Sequence, residues 1–263
     1  MDLGLRDRVV LVVGAGSGIG AATAEVLAAE GAHLVLMGRR EAALQETAAR
    51  LPASGAPPLL VALDASVEGA MEEAVARTLD RFGALHSLAV IAGPMGPRGS
   101  LHEMDPSAWQ HYFDSGLMIA VRACKAALVP MRAQGVGSIV TTSAYSIRAQ
   151  KPALIAYTAA KAAIASITKN IAKTYGPEGI RANCIAPGVV EKDAATRAVL
   201  AERYGVPEAR ARYEYVRREF QMAVALERVG QHREFADVIA FLLSERASYV
   251  TGATINIDGG SDF

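Results

Sequence analysis

The sequence predicts an α/β fold: a doubly wound, seven-stranded parallel sheet with helices on both faces, in a single domain over residues 1–263. Three observations predict it. Short apolar runs alternate with longer Ala/Leu/Glu-rich stretches along the chain. Hydrophobic residues make up 51%, enough for a sizeable core, and charged residues only 21%, which argues against long disorder. No linker, repeat or low-complexity stretch divides the chain, and Pro52–Pro58 reads as a helix-to-strand loop.

In order, the apolar runs Val9–Val13, His33–Met37, Leu59–Leu63, Leu85–Ile91, Ser138–Thr142, Ile180–Ile185 and Thr254–Ile257 read as buried strands. The helix-forming stretches between them are Ile19–Glu30, Glu41–Leu51, Val67–Phe82, Pro106–Ala133, Ala153–Tyr175 and Phe235–Leu243. The segment Val189–Leu226 breaks this rhythm. It follows Pro187-Gly188 at a strand end, carries many charges and shows no strand pattern. Ligands of such sheets sit at the carboxyl ends of the strands, so an insertion there is placed to be a substrate lid.

Charge excludes some partners. Lys+Arg and Asp+Glu number 27 each, so no global field favours nucleic acid or an anionic membrane. Cys124 and Cys184 form no CxxC pair and read as two free thiols in a reducing compartment. The first eight residues are too charged for a signal peptide, and no apolar run approaches the roughly 20 residues that span a bilayer. The expectation is a soluble, cytoplasmic protein acting on a small molecule, with neither nucleic acid nor membrane as partner.

The first strand runs into Gly14-Ala15-Gly16-Ser17-Gly18-Ile19-Gly20 and then a helix. Glycines permit a tight turn and let backbone N–H groups approach a pyrophosphate, whose charge the helix N-terminus favours. Within a βαβ unit this turn marks a dinucleotide site of the Rossmann type, with Gly14, Ser17, Gly18, Ile19 and Gly20 as candidates. The second strand ends at Gly38-Arg39-Arg40. An acid there would bind the ribose diol of NAD; here a glycine and two guanidinium groups favour the 2′-phosphate of NADP, with NAD still possible. The alternative is two solvated charges at a strand end.

The G-x-x-x-G-x-G spacing resembles the short-chain dehydrogenase/reductase family over essentially the whole chain, from this turn (Val13 standing where the family has Thr) to Asp258-Gly259-Gly260. The resemblance implies that Asp64 contacts adenine, a helix N-cap being the alternative. It implies that Ala92 and Gly93 line the cofactor site, although Val90-Ile91 replace the family's two Asn. Pro187-Gly188 would turn under the carboxamide, with Val190 as a backbone contact and Lys192 near the place of a usual Thr; a generic turn is the alternative.

Tyr157-Thr158-Ala159-Ala160-Lys161 places a phenol and an ammonium on one helix face. A nearby cation stabilises a phenolate, so Tyr157 can exchange a proton with a substrate oxygen, and the family uses the pair in this way. The family also has a Ser on the fifth strand's exit and an Asn on the fourth helix. Counted without gaps from Tyr157 the Ser falls on Ala144; Ser143, a one-residue shift away, is the candidate, with Ser146 second. The Asn position falls on Gly116, so its proton relay is missing. The catalytic candidates are therefore Ser143, Tyr157 and Lys161.

His33, His86, His102, His111 and His232 show no ligand spacing, and no metal site is predicted. In the lid, Arg197, Arg203, Arg210, Arg212, Arg217 and Arg218 interleave with Glu202, Glu208, Glu214 and Glu219, which suits a solvated face of ion pairs better than a substrate-anion site. Met95, Trp109, Tyr145, Tyr204, Tyr213 and Met222 suit either a pocket wall or core. The leading reading is an NADP-preferring enzyme interconverting a secondary alcohol and a ketone, assembled as a homotetramer or homodimer through its long fourth and fifth helices as the family implies. A catalytically weakened dinucleotide-binding sensor or scaffold is the alternative, and sugar- or lyase-type chemistry on the same fold a third.

Overall fold

The computed structural model describes residues 2–52, 56–93 and 96–261. Met95 and the centre of the Pro52–Pro58 loop lie outside them. Seven strands, β1 (Val9–Val13), β2 (His33–Gly38), β3 (Leu59–Ala62), β4 (Ser87–Val90), β5 (Gly137–Thr142), β6 (Ile180–Pro187) and β7 (Thr254–Ile257), form one sheet. Every pairing is parallel, in the order β3-β2-β1-β4-β5-β6-β7. The order reverses between β1 and β4, which opens a crevice at their carboxyl ends.

Strand residues alternate between two cores. Leu11, Val13, Val35 and Met37 face α3 (Ala70–Phe82), α5 (Met118–Gln134) and α6 (Ile155–Tyr175). Val10, Val12, Leu34 and Leu36 face α1 (Gly18–Ala29), α2 (Glu41–Ala49) and α9 (His232–Leu243). The doubly wound, single-domain architecture is thus the one the apolar runs predict.

Helix boundaries differ where local chemistry overrides composition. α3 starts at Ala70 rather than Val67, after Gly69 at φ +80°. α9 starts three residues early because Gln231 and Glu234 form a reciprocal capping box. The long helix expected over Pro106–Ala133 is two: α4 (Pro106–Tyr112) and α5, joined by a π-helical turn at Phe113–Leu117. Gly116, the weakest helix former there, lies buried in that turn, and the Ser115 hydroxyl donates back to the His111 carbonyl, a bond that bends helices. The segment Val189–Leu226 carries two further helices, α7 (Ala194–Tyr204) and α8 (Glu208–Glu219). Among the described residues no helix is long and apolar enough to cross a membrane.

Candidate active site

The crevice holds a cleft of about 480 Å³. Gly14, Ser17, Ile19 and Gly20 form one wall, Arg39 and Arg40 another, and Asp64, Ala92, Gly93 and Val190 complete it. Gly14 sits at φ +93°, and a Cβ on it would lie 2.8 Å from the Ala92 nitrogen; a Cβ on Gly20 would collide with the Gly14 carbonyl. Only glycine fits either place. α1 begins at Gly18, its Ser17 cap makes no side-chain bond and its first turn has no acid, which leaves the N–H groups for a ligand.

Arg39 and Arg40 are exposed at this rim, and neither has an ion-pair partner among the described residues. Asp64 is not a helix cap. Its carboxylate accepts from the Ser66 N–H (2.9 Å) and hydroxyl (2.7 Å). Those bonds, with a smaller contribution from the Arg39 charge, hold it below the usual carboxylate range.

A second cavity, about 280 Å³, adjoins the first: Ile19, Gly93 and Val190 line both. Tyr157, Lys161, Ser143, Pro187 and Gly188 face it. Gly188 is tight against the segment after β7, since a Cβ there would lie 2.6 Å from Asp258 Cα. Lys161 is buried, its Nζ donating to the Thr142 carbonyl at 2.9 Å and lying 5.8 Å from the Tyr157 ring centroid. Burial pushes the ammonium down to about 8. The Tyr157 phenol is pushed up to about 12, chiefly by burial and then by the neighbouring phenols of Tyr145 and Tyr112, with Arg98 opposing. Tyr112 packs edge-on against Tyr157, ring centroids 5.8 Å apart.

Ser143 lines this cavity, but its hydroxyl donates to the Lys161 carbonyl at 2.7 Å. Its proton is committed to bracing β5 against α6. Ala144 follows in extended conformation, buried and without a hydroxyl. Ser146 is fully buried and accepts from the Thr158 hydroxyl at 3.1 Å, away from the cavity lining.

Residues the sequence reading passed over also converge here. His232, read as incidental, lines the dinucleotide cleft: its Nδ1 lies 3.1 Å from Glu191 and its Nε2 faces Gly18. No spacing pattern signals it, because Gly18 and His232 meet only through the packing of α1 on α9. Arg98 and Arg212 line the second cavity. Of the aromatic and Met residues left open between wall and core, Tyr145 and Met222 are wall, bonded hydroxyl to sulfur at 3.0 Å, while Trp109 packs beside Tyr112 and Tyr213 is buried. Tyr204 donates to Glu219 across the exposed α7–α8 pair at 2.6 Å. Among the described residues no cluster of His, Cys, Asp or Glu forms a metal site, and Cys124 and Cys184 are free and buried.

This fold, with a glycine-turn cleft opening onto a Tyr–Lys cavity, defines an oxidoreductase class. A family model described as enoyl-(acyl carrier protein) reductase matches residues 14–262. Cis-4-hydroxycyclohexanecarboxylate dehydrogenase of Sinomonas cyclohexanicum is 35% identical over 99% of this chain and 98% of its own. L-sorbose reductase of Gluconobacter frateurii, solved with NADPH and L-sorbose, superposes at TM-score 0.88 with 29% identity, over 99% and 98% of the two chains. NAD+-bound xylitol dehydrogenase superposes at 0.85 with 27% identity, over 97% and 99%. The chain belongs to the short-chain dehydrogenase/reductase family and is an enzyme of that class.

Proposed function

We propose that this enzyme interconverts a secondary alcohol and a ketone with a nicotinamide dinucleotide, preferring NADP, and uses Tyr157 as its acid/base. One observation carries the reading: Tyr157 and Lys161 face a cavity that shares Ile19, Gly93 and Val190 with the glycine-turn cleft. A substrate carbon in the second cavity is thereby held beside whatever lies at the mouth of the first.

The glycine turn and the open α1 N-terminus suit a pyrophosphate, and Arg39 and Arg40, exposed at the cleft rim with no ion pair among the described residues, suit a 2′-phosphate. Structural relatives have been solved with NADPH and with NAD+, so the choice rests on these two side chains. The dinucleotide, when bound, supplies the acceptor or donor of hydride. In reduction the Tyr157 O–H gives its proton to the substrate carbonyl oxygen as the carbon gains hydride. In oxidation the alcohol proton passes to the phenolate as the carbon loses it. A phenol raised to about 12 stays almost wholly protonated near neutral pH, so forming the phenolate needs a nearby cation, and on this reading that role falls to Lys161, buried beside it.

The weakened sensor or scaffold is supported by Ala144, which leaves the family's Ser position without a donor. Turnover separates the two. With NADPH and a panel of ketones, the enzyme reading expects consumption of cofactor, and Tyr157→Phe should lose about 10³-fold in kcat with unchanged NADPH affinity by fluorescence titration. Tight NADPH binding without turnover of any ketone would establish the scaffold reading instead.

A further inference from the structure

Most arginines of the lid face outward to carboxylates. Arg203 pairs with Glu219 at 2.9 Å, and Arg217 and Arg218 share Glu214 at 2.7 and 3.0 Å. Arg212, on the same helix, breaks this pattern. It turns into the substrate cavity, its guanidinium carbon 4.8 Å above the Tyr215 ring, and its Nε is buried with no hydrogen-bond partner. A buried donor left unpaired costs free energy that a ligand acceptor would recover.

A second guanidinium meets it. Arg98 reaches the same cavity from the segment after β4 and rests 5.3 Å above the Phe220 ring. Its backbone is pinned on both sides: the Tyr112 hydroxyl donates to the Pro97 carbonyl at 2.9 Å, and Gly99 N–H donates to the Ala153 carbonyl at 3.2 Å. Burial lowers Arg212 and the neighbouring Arg98 charge adds to that, while the Tyr215 phenol opposes both. Among the described residues the cavity lining contains no Asp or Glu; besides Lys161 and Lys192, its remaining wall is largely apolar, with Leu154, Val189, Val216 and Met222.

Like charges held together on an apolar wall without a counter-ion form a receptor for an anion. We propose that the substrate is a hydroxy or oxo acid, a hydrocarbon body whose carboxylate is clamped by Arg98 and Arg212 while its carbinol or carbonyl carbon lies beside Tyr157. This rests on the alcohol–ketone reading above and names the substrate class for it. Carboxylate is preferred to phosphate because a cavity of about 280 Å³ is at the small end for a ligand site and suits the smaller anion.

The test compares matched oxo compounds with NADPH: 4-oxopentanoate, 6-oxoheptanoate and 4-oxocyclohexanecarboxylate, each beside its methyl ester. The free acid of at least one pair should exceed its ester about 30-fold or more in kcat/KM. Arg98→Gln with Arg212→Gln should collapse that ratio to within about threefold of unity, mainly through KM of the acid, whereas Arg212→Lys should keep part of it. Equal use of acid and ester by the unaltered enzyme would overturn the carboxylate clamp while leaving the alcohol–ketone reading intact. Calorimetric titration of the cofactor-free protein with benzoate, cyclohexanecarboxylate and inorganic phosphate supplies a readout independent of turnover. Carboxylate binding that is lost in the double Gln variant supports the clamp even if no ketone is reduced. Phosphate binding that is lost in the double Gln variant while neither carboxylate binds, or carboxylate binding unaffected by both substitutions, overturns it.

Discussion

The Ser143 hydroxyl donates to the backbone carbonyl of Lys161 at 2.7 Å, and the Lys161 ammonium answers with a bond to the carbonyl of Thr142, the residue before Ser143, at 2.9 Å. The end of β5 and the middle of α6 are clasped to each other by two reciprocal bonds. Lys161 is thereby held in one place, and Ser143 is occupied in holding it.

From this clasp, Ser143→Ala should lower kcat about tenfold by letting Lys161 shift, while Ala144→Ser, which returns a hydroxyl to the position where the family's Ser falls, should raise it. A positioned oxyanion donor is worth ~10²–10³ in rate where it is fully engaged, and a gain of about tenfold is expected for one added without its supporting contacts. Steady-state kinetics of both variants decide it. A fall of 10² or more in Ser143→Ala with no gain in Ala144→Ser would return the polarising role to Ser143.

Lys161 also couples stability to pH. Its ordinary value of 10.5 falls to about 8 in the folded, cofactor-free protein. Between pH 8 and 10.5 the unfolded chain still holds the proton that the folded chain has released, so stability rises with pH across that window. Below pH 8 both states are charged, and the buried ammonium costs about 3 kcal/mol relative to its neutral form. Lys161→Met should therefore be the more stable protein at pH 7, with an advantage that shrinks towards pH 10.5. Urea unfolding of the two proteins at pH 7, 8.5 and 10 measures this, and a pH-independent difference would contradict it.

Replacing Arg39 and Arg40 with Ala should raise the KM for NADPH by about 10- to 100-fold, the worth of one or two charge-assisted hydrogen bonds, and change that for NADH little. Equal effects on both cofactors would show that the arginines are solvated charges.

Val129 on the outer face of α5 is 71% exposed, beside a groove whose walls include Leu128 and Ile171. If the enzyme assembles through α5 and α6 as its family implies, Val129→Arg should reduce the mass measured by light scattering. An unchanged mass would place the interface elsewhere.

The strands were legible because each is a short apolar run, buried on both sides in β1, β4 and β5, and β1, β7 and the glycine turn fall where the sequence pattern puts them. The π turn at Phe113–Leu117 was not legible, since it depends on a Ser115 bond within a stretch that otherwise reads as continuous helix. Tyr157 and Lys161 share a helix face, so four-residue spacing reveals them. Arg98 and Arg212 are 114 residues apart in sequence and lie on different elements. Interleaved glutamates made Arg212 look like its solvated neighbours, and only its inward turn distinguishes it. The direction of the Ser143 hydroxyl is likewise a three-dimensional fact.

The segment carrying α7 and α8 is secured at its base largely by main-chain bonds, with the Glu191 carboxylate on His232 as a side-chain addition. Val190 bridges Gly230 at one end and Val224 bridges Ser261 at the other, with Ala225 and Leu226 donating to the carbonyls of Gly260 and Gly259. Bonds of this kind take no account of side-chain identity. Drift or deliberate recombination within residues 193–221 is therefore expected to change what the second cavity admits while leaving these main-chain supports and the dinucleotide cleft in place.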